Sequence, residues 1–322
     1  MSKKKKIVTS TGVEVRQKPL KLRIWNNRGH YLMFLPVFVF VLIVNYWPML
    51  GIRYAFMEYK AGPAAPSWTG LTHFQRMFEA SAFWDAFRNT LILSIVKLFL
   101  TTFASVVVSI FLNEMGNLFA KKTLQTIIYL PHFMSWAVVA SIFTLILSPS
   151  STGMLNGLLR DWGILGANDS NIHFLATSSM WRPIFYLINI WKETGWGTII
   201  FLATLAGISP ELYEAADIDG ATRFQKMRYV TLPALSNTII TVLILNLAKV
   251  LNLFESVFVL YNPAVYNVSD VIGTYIYRQT FSVARPDYGY STAVGLFRSL
   301  VGCVLVLICN RASKKVRGRG IV

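Results

Sequence analysis

The sequence predicts an all-α membrane protein with six transmembrane helices. Of its 322 residues, 54% are hydrophobic and only 14% are charged, whereas soluble domains carry roughly 25% charged residues. A helix rises about 1.5 Å per residue, so some 20 apolar residues cross a bilayer. The six apolar stretches that meet this requirement cover residues 32–52, 87–112, 123–148, 182–207, 234–259 and 290–309.

The distribution of lysine and arginine predicts the orientation of these spans. With both termini inside, the cytoplasmic segments hold 19 of these residues and the outer segments hold eight. Cytoplasmic loops are the ones enriched in Lys and Arg. We therefore expect a basic cytoplasmic tail at 1–29, a transmembrane domain at 30–310 and a second basic cytoplasmic tail at 311–322. The net charge of +16 is assigned to these segments, so no nucleic-acid partner is expected.

The sequence lacks the residue patterns that chemistry within a membrane requires. The segment 116–123 departs from a phosphate-binding loop because Lys121 stands where a second glycine is needed. The four histidines are scattered singly, with His132 beside a proline kink, and both cysteines lie in the last apolar stretch. A membrane-embedded enzyme or metal site would need a cluster of such side chains. We therefore expect no enzyme activity, no metal and no cofactor in this chain.

A helix–turn–helix is predicted at residues 209–233, on the cytoplasmic side between the fourth and fifth spans. Ser209 is a suitable N-cap, and Gly220 is suited to the left-handed position that ends a helix. Thr222 and Gln225 have the spacing of a capping box for a second short helix. Pro233 is then expected to open the fifth span.

This segment resembles the EAA loop of ABC-importer permeases, which is their coupling helix. Leu232-Pro233 closes the motif at the family's distance, and its residues are Glu214, Ala215, Ala216, Asp219, Gly220 and Ala221. The resemblance covers about residues 30–310 and is closest to the maltose-type permeases, in their branch for polysaccharide-derived oligosaccharides. The further segments that carry it are Asn89-Thr90, Asn113-Glu114, Tyr129-Leu-Pro-His132 and Trp191-Lys192.

The resemblance implies a permease of the bacterial plasma membrane that works in an assembly. It implies a heterodimer with a second homologous permease, two ABC ATPase subunits that hold ATP and Mg, and an extracellular or periplasmic solute-binding protein. Glu214 would contact the ATPase and Gly220 would supply the turn. The long outer loops 149–181 and 260–289 would face the binding protein.

Polar residues inside the apolar stretches are candidates for a substrate pathway, because a charge in a span needs a partner or a wet cavity. In the fourth span the candidates share one helix face, and in the fifth they form a stripe if the helix is continuous. The candidates are Asn189, Lys192, Glu193, Trp196, Asn246, Lys249, Asn252 and, in the sixth span, Arg298. The alternative is that Lys192–Glu193 and Lys249–Glu255 are ion pairs that brace the helices.

The charges within the spans also bear on the substrate. Four cations, including Lys97, accompany only two anions, Glu193 and Glu255. A surplus of positive charge favours an acidic oligosaccharide, such as an alginate- or pectin-derived fragment. Import of a neutral oligosaccharide is the alternative. An ion-coupled secondary transporter would instead show inverted repeats or helices broken within the membrane, and no internal repeat is evident.

Overall fold

The computed structural model of the protein describes residues 6–8, 14–16, 20–63, 65–150, 153–166 and 169–317. Parts of both predicted tails lie outside the described residues. The α-helices are α1 (Leu20–Asn26), α2 (Arg28–Val41), α3 (Thr72–Glu79), α4 (Ser81–Glu114), α5 (Leu118–Tyr129), α6 (Trp136–Ile146), α7 (Met154–Asp161), α8 (Ser178–Leu205), α9 (Pro210–Ile218), α10 (Arg223–Lys226), α11 (Leu232–Leu247), α12 (Glu255–Phe258), α13 (Tyr266–Ser269), α14 (Ile272–Phe281) and α15 (Tyr288–Arg317).

The chain divides into two compact units, residues 1–53 and 54–322. The first unit holds an antiparallel pair of strands, β1 (Lys6–Val8) and β2 (Glu14–Arg16), followed by α1 and α2. The helical path continues beyond α2 through a π turn at Leu42–Tyr46 and a 3₁₀ segment at Trp47–Phe56. The second unit opens with a short antiparallel pair, β3 (Met57–Glu58) and β4 (Ser67–Trp68).

The helices confirm the predicted fold class. Four helical segments of the described chain are long and apolar enough to cross a bilayer, namely Arg28–Phe56, Ser81–Glu114, Arg223–Leu247 and Tyr288–Lys315. Two bent helix pairs, α5 with α6 and α8 with α9, bring the number to six if each pair is one span. The last helix continues to Arg317, beyond the predicted span end at residue 309.

The third span is not the continuous helix predicted for 123–148. A 3₁₀ turn at Leu130–Phe133 follows α5, and α6 leaves it at an angle of 101°. Pro131 has no N–H to donate to the preceding turn, which favours a break. Ser135 then caps α6, because its hydroxyl accepts a hydrogen bond from the Val138 N–H at 3.3 Å. His132 therefore lies beside a kink, as predicted.

The fifth span differs from its prediction at both ends. Its helix begins at Arg223 and passes through a π turn at Met227–Thr231 into α11, so Pro233 lies within it and does not open it. The prediction of one helix to residue 259 is also wrong, because α11 ends at Leu247. Tight turns follow, with the Asn252 N–H donating to the Lys249 carbonyl at 2.9 Å.

The packing of α4 against α8 forms the centre of the second unit. Gly197 permits the close approach, since a Cβ at that position would lie 2.3 Å from the Ser105 hydroxyl oxygen. That hydroxyl donates to the Thr194 carbonyl at 3.0 Å. A Cβ at Gly195 would lie 2.3 Å from the Ile128 carbonyl oxygen of α5. Small residues at contacts between membrane helices allow such backbone proximity.

A polar network joins the N-terminal parts of α4 and α8 to α13. Arg182 donates to the Asn89 side-chain oxygen at 2.7 Å and to the Val268 carbonyl at 3.2 Å. Asn89 itself donates to the Asn267 carbonyl at 3.1 Å. The network fixes the ends of both long helices, and the cavity described below lies along their length.

Candidate functional site

A cavity of about 280 Å³ opens between α4, α8, α11 and the segment 248–254. Its volume is near the lower end of the roughly 300–1,000 Å³ that ligand pockets occupy. The wall is mixed, with apolar side chains such as Phe201 between polar ones. The polar and aromatic residues of the lining are Ser94, Lys97, Thr101, Thr102, Ser105, Glu193, Trp196, Asn246, Lys249 and Asn252.

Five of the predicted pathway residues share this cavity: Glu193, Trp196, Asn246, Lys249 and Asn252. The prediction explained the last three by one continuous helical stripe, and that explanation is wrong because the helix ends at residue 247. The tight turns after α11 are what carry Lys249 and Asn252 to the cavity. Whether substrate passes these five residues stays a prediction.

The other three predicted pathway residues do not line the cavity. Asn189 is fully buried and donates to the Phe185 carbonyl of its own helix at 2.7 Å. Arg298 lies on α15, away from the described lining. Lys192 is buried at the kink of the third span, where its ammonium donates to the His132 carbonyl at 2.8 Å. Lys192 was expected to face the pathway together with its neighbours on α8. It is directed instead toward the kink of the third span, because its ammonium binds a carbonyl group there.

The Lys192 ammonium binds backbone carbonyl groups of the kink. It lies 3.4 Å from the Pro131 carbonyl oxygen and 5.4 Å from the centre of the Trp136 ring. A break in a membrane helix leaves carbonyl groups without N–H partners, and lysine is a donor that can satisfy them. The positive charge of Lys192 thus serves the bent backbone.

Glu193 connects the kink to the cavity. One carboxylate oxygen lies 3.1 Å from His132 Nδ1, and the other lies 4.0 Å from the Lys192 ammonium. The His132 ring stacks on Trp196 with 4.9 Å between ring centres. His132 was expected only as a single histidine beside a kink, and these contacts place it next to the cavity wall.

Only one of the two predicted ion pairs is present in the described part of the chain. Lys192–Glu193 is present at the 4.0 Å limit of an ion pair, whereas Lys249 and Glu255 form no ion pair within the described part of the chain. In that part, the ammonium groups of Lys97 and Lys249 have no hydrogen-bond partner. Two cations without a close partner therefore line one cavity.

Polar residues of the second span also belong to this site; among them only Lys97 was considered from the sequence, for its charge, and the others were not predicted. Ser94, Lys97, Thr101 and Ser105 recur every three or four residues on α4, and all line the cavity. That spacing is a polar stripe on one helix face. The stripe is visible in the sequence and could have identified this wall of the cavity.

The predicted helix–turn–helix at 209–233 is confirmed in its turn and in its second cap. Gly220 has φ +73°, the left-handed region that glycine adopts most readily. The Gly220 N–H donates to the Asp217 carbonyl and the Ala221 N–H donates to the Ala216 carbonyl, which is the Schellman pattern. Thr222 and Gln225 form the predicted capping box. Ser209 is the N-cap residue of α9, but its side chain accepts no capping hydrogen bond.

One face of α9 is exposed along its whole length. Glu211, Glu214, Ala215 and Ile218 follow the i, i+3, i+4, i+7 spacing and are all exposed, with Ile218 at 87%. The opposite face is tied to the fifth span, because the Tyr213 hydroxyl lies 3.0 Å from the Thr231 hydroxyl oxygen. The other predicted residues of this loop differ in exposure: Asp219 and Gly220 are exposed, while Ala216 and Ala221 are half-buried.

The described residues contain no group of three or more His, Cys, Asp or Glu side chains that could hold a metal ion. The side chains named above supply charge, hydrogen bonding and ring stacking in the cavity.

Comparisons with known proteins identify the family. Residues 105–318 match the family described as "Binding-protein-dependent transport system inner membrane component". The polygalacturonan/rhamnogalacturonan transport system permease protein YteP of Bacillus subtilis (strain 168) is 38% identical over 309 residues, which cover 95% of this chain and 94% of YteP. The chain therefore belongs to this family of permease components, and it is not an enzyme.

Two solved structures share the fold. One is a crystal structure of a bacterial ABC transporter involved in the import of the acidic polysaccharide alginate, with TM-score 0.83, 37% identity, and 93% of this chain and 100% of that chain covered. The other is a bacterial alginate ABC transporter in complex with an alginate pentasaccharide-bound periplasmic protein, with TM-score 0.82, 36% identity and coverage of 94% and 100%. The resemblance seen in the sequence is confirmed. Broken helices, expected of a secondary transporter, are thus present in an ABC permease.

Proposed function

We propose that this chain is one permease subunit of an ATP-driven importer for acidic oligosaccharides. It forms half of the translocation pathway together with a second, homologous permease. Two ABC ATPase subunits supply ATP hydrolysis with their own ATP and Mg, and a solute-binding protein delivers the sugar. The chain lies in the bacterial plasma membrane with both termini in the cytoplasm, as the distribution of Lys and Arg favours.

The exposed face of α9 supports the ATPase partner. A helix with Ile218 almost fully exposed and Glu211 and Glu214 beside it offers an apolar contact with an acidic rim. Such a face fits a groove with an apolar floor and basic or hydrogen-bond-donating edges. Because Tyr213 on the opposite face contacts Thr231, movement of a docked α9 would be passed to the fifth span.

The cavity supports the substrate class, and its two free ammonium groups are the observation that carries the proposal. A neutral sugar is recognised by amide groups such as Asn246 and Asn252 and by rings such as Trp196. The ammonium groups of Lys97 and Lys249 could donate hydrogen bonds to its hydroxyl groups, but their positive charge has no carboxylate to attract. A uronate carboxylate accepts charge-assisted hydrogen bonds from an ammonium, and these are strongest where water is scarce. YteP, the polygalacturonan/rhamnogalacturonan permease, and the alginate importer are consistent with this class.

The test compares the removal of two positively charged residues of the transmembrane domain, Lys249 and Arg298. Lys249→Met removes a cation of the cavity, whereas Arg298→Met removes a cation outside its described lining. The complex, reconstituted with its ATPases and binding protein, should hydrolyse ATP faster with an oligouronate than with a neutral oligosaccharide. Lys249→Met should reduce this stimulation by about tenfold, the loss of one charged hydrogen bond, and Arg298→Met should not.

A preference for the neutral sugar would refute the substrate class and favour the neutral-oligosaccharide importer. Equal effects of Lys249→Met and Arg298→Met would refute the assignment of the cavity. Failure of any ATPase to co-purify with the chain in mild detergent would refute the importer assembly itself.

A further inference from the structure

Glu193 lines the same cavity as Lys97 and Lys249, whose ammonium groups have no hydrogen-bond partner among the described residues. Among the described lining residues it is the single acidic one, while Lys97 and Lys249 are both basic. The empty cavity thus carries one negative charge against two positive ones.

Glu193 is not needed to neutralise Lys192. The Lys192 ammonium already donates to the His132 carbonyl at 2.8 Å and faces the Trp136 ring, and it lies 4.0 Å from the nearer oxygen of Glu193. The firm contact of Glu193 is to His132 Nδ1 at 3.1 Å. That contact needs an acceptor oxygen on residue 193 when the ring nitrogen carries the proton, but it does not need a negative charge.

We propose that Glu193 is an internal counter-ion that sets how tightly the cavity holds an acidic sugar. In the empty cavity its charge offsets the repulsion between Lys97 and Lys249. An entering carboxylate then competes with Glu193 for these ammonium groups, so binding is weaker than it would be in a purely basic cavity. This competition allows the sugar to leave again, and the inference rests on the proposed transport of acidic oligosaccharides.

Electrostatics gives the size of the effect. A unit charge about 4 Å away changes the binding of a carboxylate by about fivefold when the surroundings respond like bulk water, and by more where water is excluded. Removing the charge of Glu193 should tighten the hold on an acidic sugar by this factor and slow its release. A neutral sugar should be unaffected, because it has no charge for Glu193 to repel.

The experiment uses the complete reconstituted complex with three variants. Glu193→Gln keeps the shape and the acceptor oxygen for His132 but removes the charge. Glu193→Asp keeps the charge and shortens the side chain. Glu255→Gln is the matched control, since Glu255 is exposed and outside the described lining. The probes are an alginate pentasaccharide and its carboxyl-reduced form, and the readouts are half-saturating concentration, maximal uptake rate and thermal stability of the complex.

We expect Glu193→Gln to lower the half-saturating concentration of the acidic probe about fivefold and to lower its maximal uptake rate. Glu255→Gln should behave as the wild type, and Glu193→Asp, which keeps the charge, should hold the acidic probe less tightly than Glu193→Gln does. The reduced probe should show no difference between wild type and Glu193→Gln. If wild type prefers the acidic probe and Glu193→Gln equals wild type, the counter-ion role is wrong while the proposed function stands.

A structural role gives a different result. If Glu193 only braces the kink through His132, Glu193→Gln leaves both probes unchanged or lowers stability and the transport of both probes together. Either outcome overturns the inference. If wild type does not distinguish the two probes, the proposed substrate class fails first, and the inference fails with it.

Discussion

Gly220 offers a sharp test of the coupling loop, because its conformation and its surroundings can be separated. Its φ of +73° is a left-handed conformation. An added Cβ would meet no heavy atom of the chain within 4 Å. Any penalty for a side chain within this subunit therefore comes from the backbone alone.

The magnitude follows from that conformation. A left-handed backbone costs a residue with a Cβ roughly 1–2 kcal/mol, and asparagine pays less because its side chain bonds locally. A loss of about 1–2 kcal/mol changes the population of the native turn relative to its alternatives by a factor of about 5 to 30. Gly220→Ala and Gly220→Leu should therefore suffer equally in the isolated subunit, and Gly220→Asn should suffer least.

The assay is ATP-dependent uptake and sugar-stimulated ATP hydrolysis by the reconstituted complex. We expect uptake to fall in Gly220→Ala and Gly220→Leu and to be largely retained in Gly220→Asn. Unchanged uptake by Gly220→Leu would refute the role of this turn in coupling. If Gly220→Asn is as impaired as Gly220→Leu, the cause is bulk against the ATPase and the backbone argument is wrong.

Three further predictions concern packing, transmission and topology. Gly195→Ala should destabilise the subunit by several kcal/mol, because the new Cβ would lie 2.3 Å from the Ile128 carbonyl oxygen. Gly302→Ala is the control, because a Cβ at Gly302 would meet no heavy atom within 4 Å. Thermal unfolding should show a lower melting temperature for Gly195→Ala than for Gly302→Ala, and equal melting temperatures of the two variants would contradict the packing argument. Tyr213→Phe removes the hydrogen bond to Thr231, worth about 0.5–1.5 kcal/mol, and should lower the uptake per ATP hydrolysed; an unchanged ratio would exclude this route of transmission. A fluorescent reporter that matures only in the cytoplasm should fluoresce when it is fused to the C-terminus. Activity of a periplasmic phosphatase fused at the same place would contradict the predicted orientation.

The coupling loop could be predicted from the sequence because its signals are local. A glycine at the end of a short helix fixes the Schellman turn, and Thr222 with Gln225 three positions later fixes the next cap. Each signal acts within a few residues and needs no distant partner. The six spans were predictable for a similar reason, because apolar length alone determines them. Their ends were less certain, as the start of the fifth span at Arg223 shows.

The cavity could be predicted only in part, since its walls come from distant parts of the chain. The end of α11 at Leu247 has no sequence signal, because residues 248–254 contain neither glycine nor proline. Asn246, Lys249 and Asn252 do line one cavity, but not through the continuous helix that was expected, and their part in a substrate pathway stays a prediction. Arg298 was included on charge alone, and only the packing separates it from the lining.

The broken helices and the buried cations have one physical cause. A backbone break within a bilayer leaves carbonyl groups that lipid cannot satisfy, so it persists only beside protein donors or a wet cavity. The kink at Pro131 is satisfied by the Lys192 ammonium, and the break after Leu247 opens onto the cavity. A lysine therefore lies beside each of these two breaks: Lys192 donates to carbonyl groups of the kink, and Lys249 lines the cavity, where the proposed function assigns it an acidic ligand. Replacing Lys192 should disturb the fold for every substrate, whereas replacing Lys249 should discriminate between charged and neutral sugars.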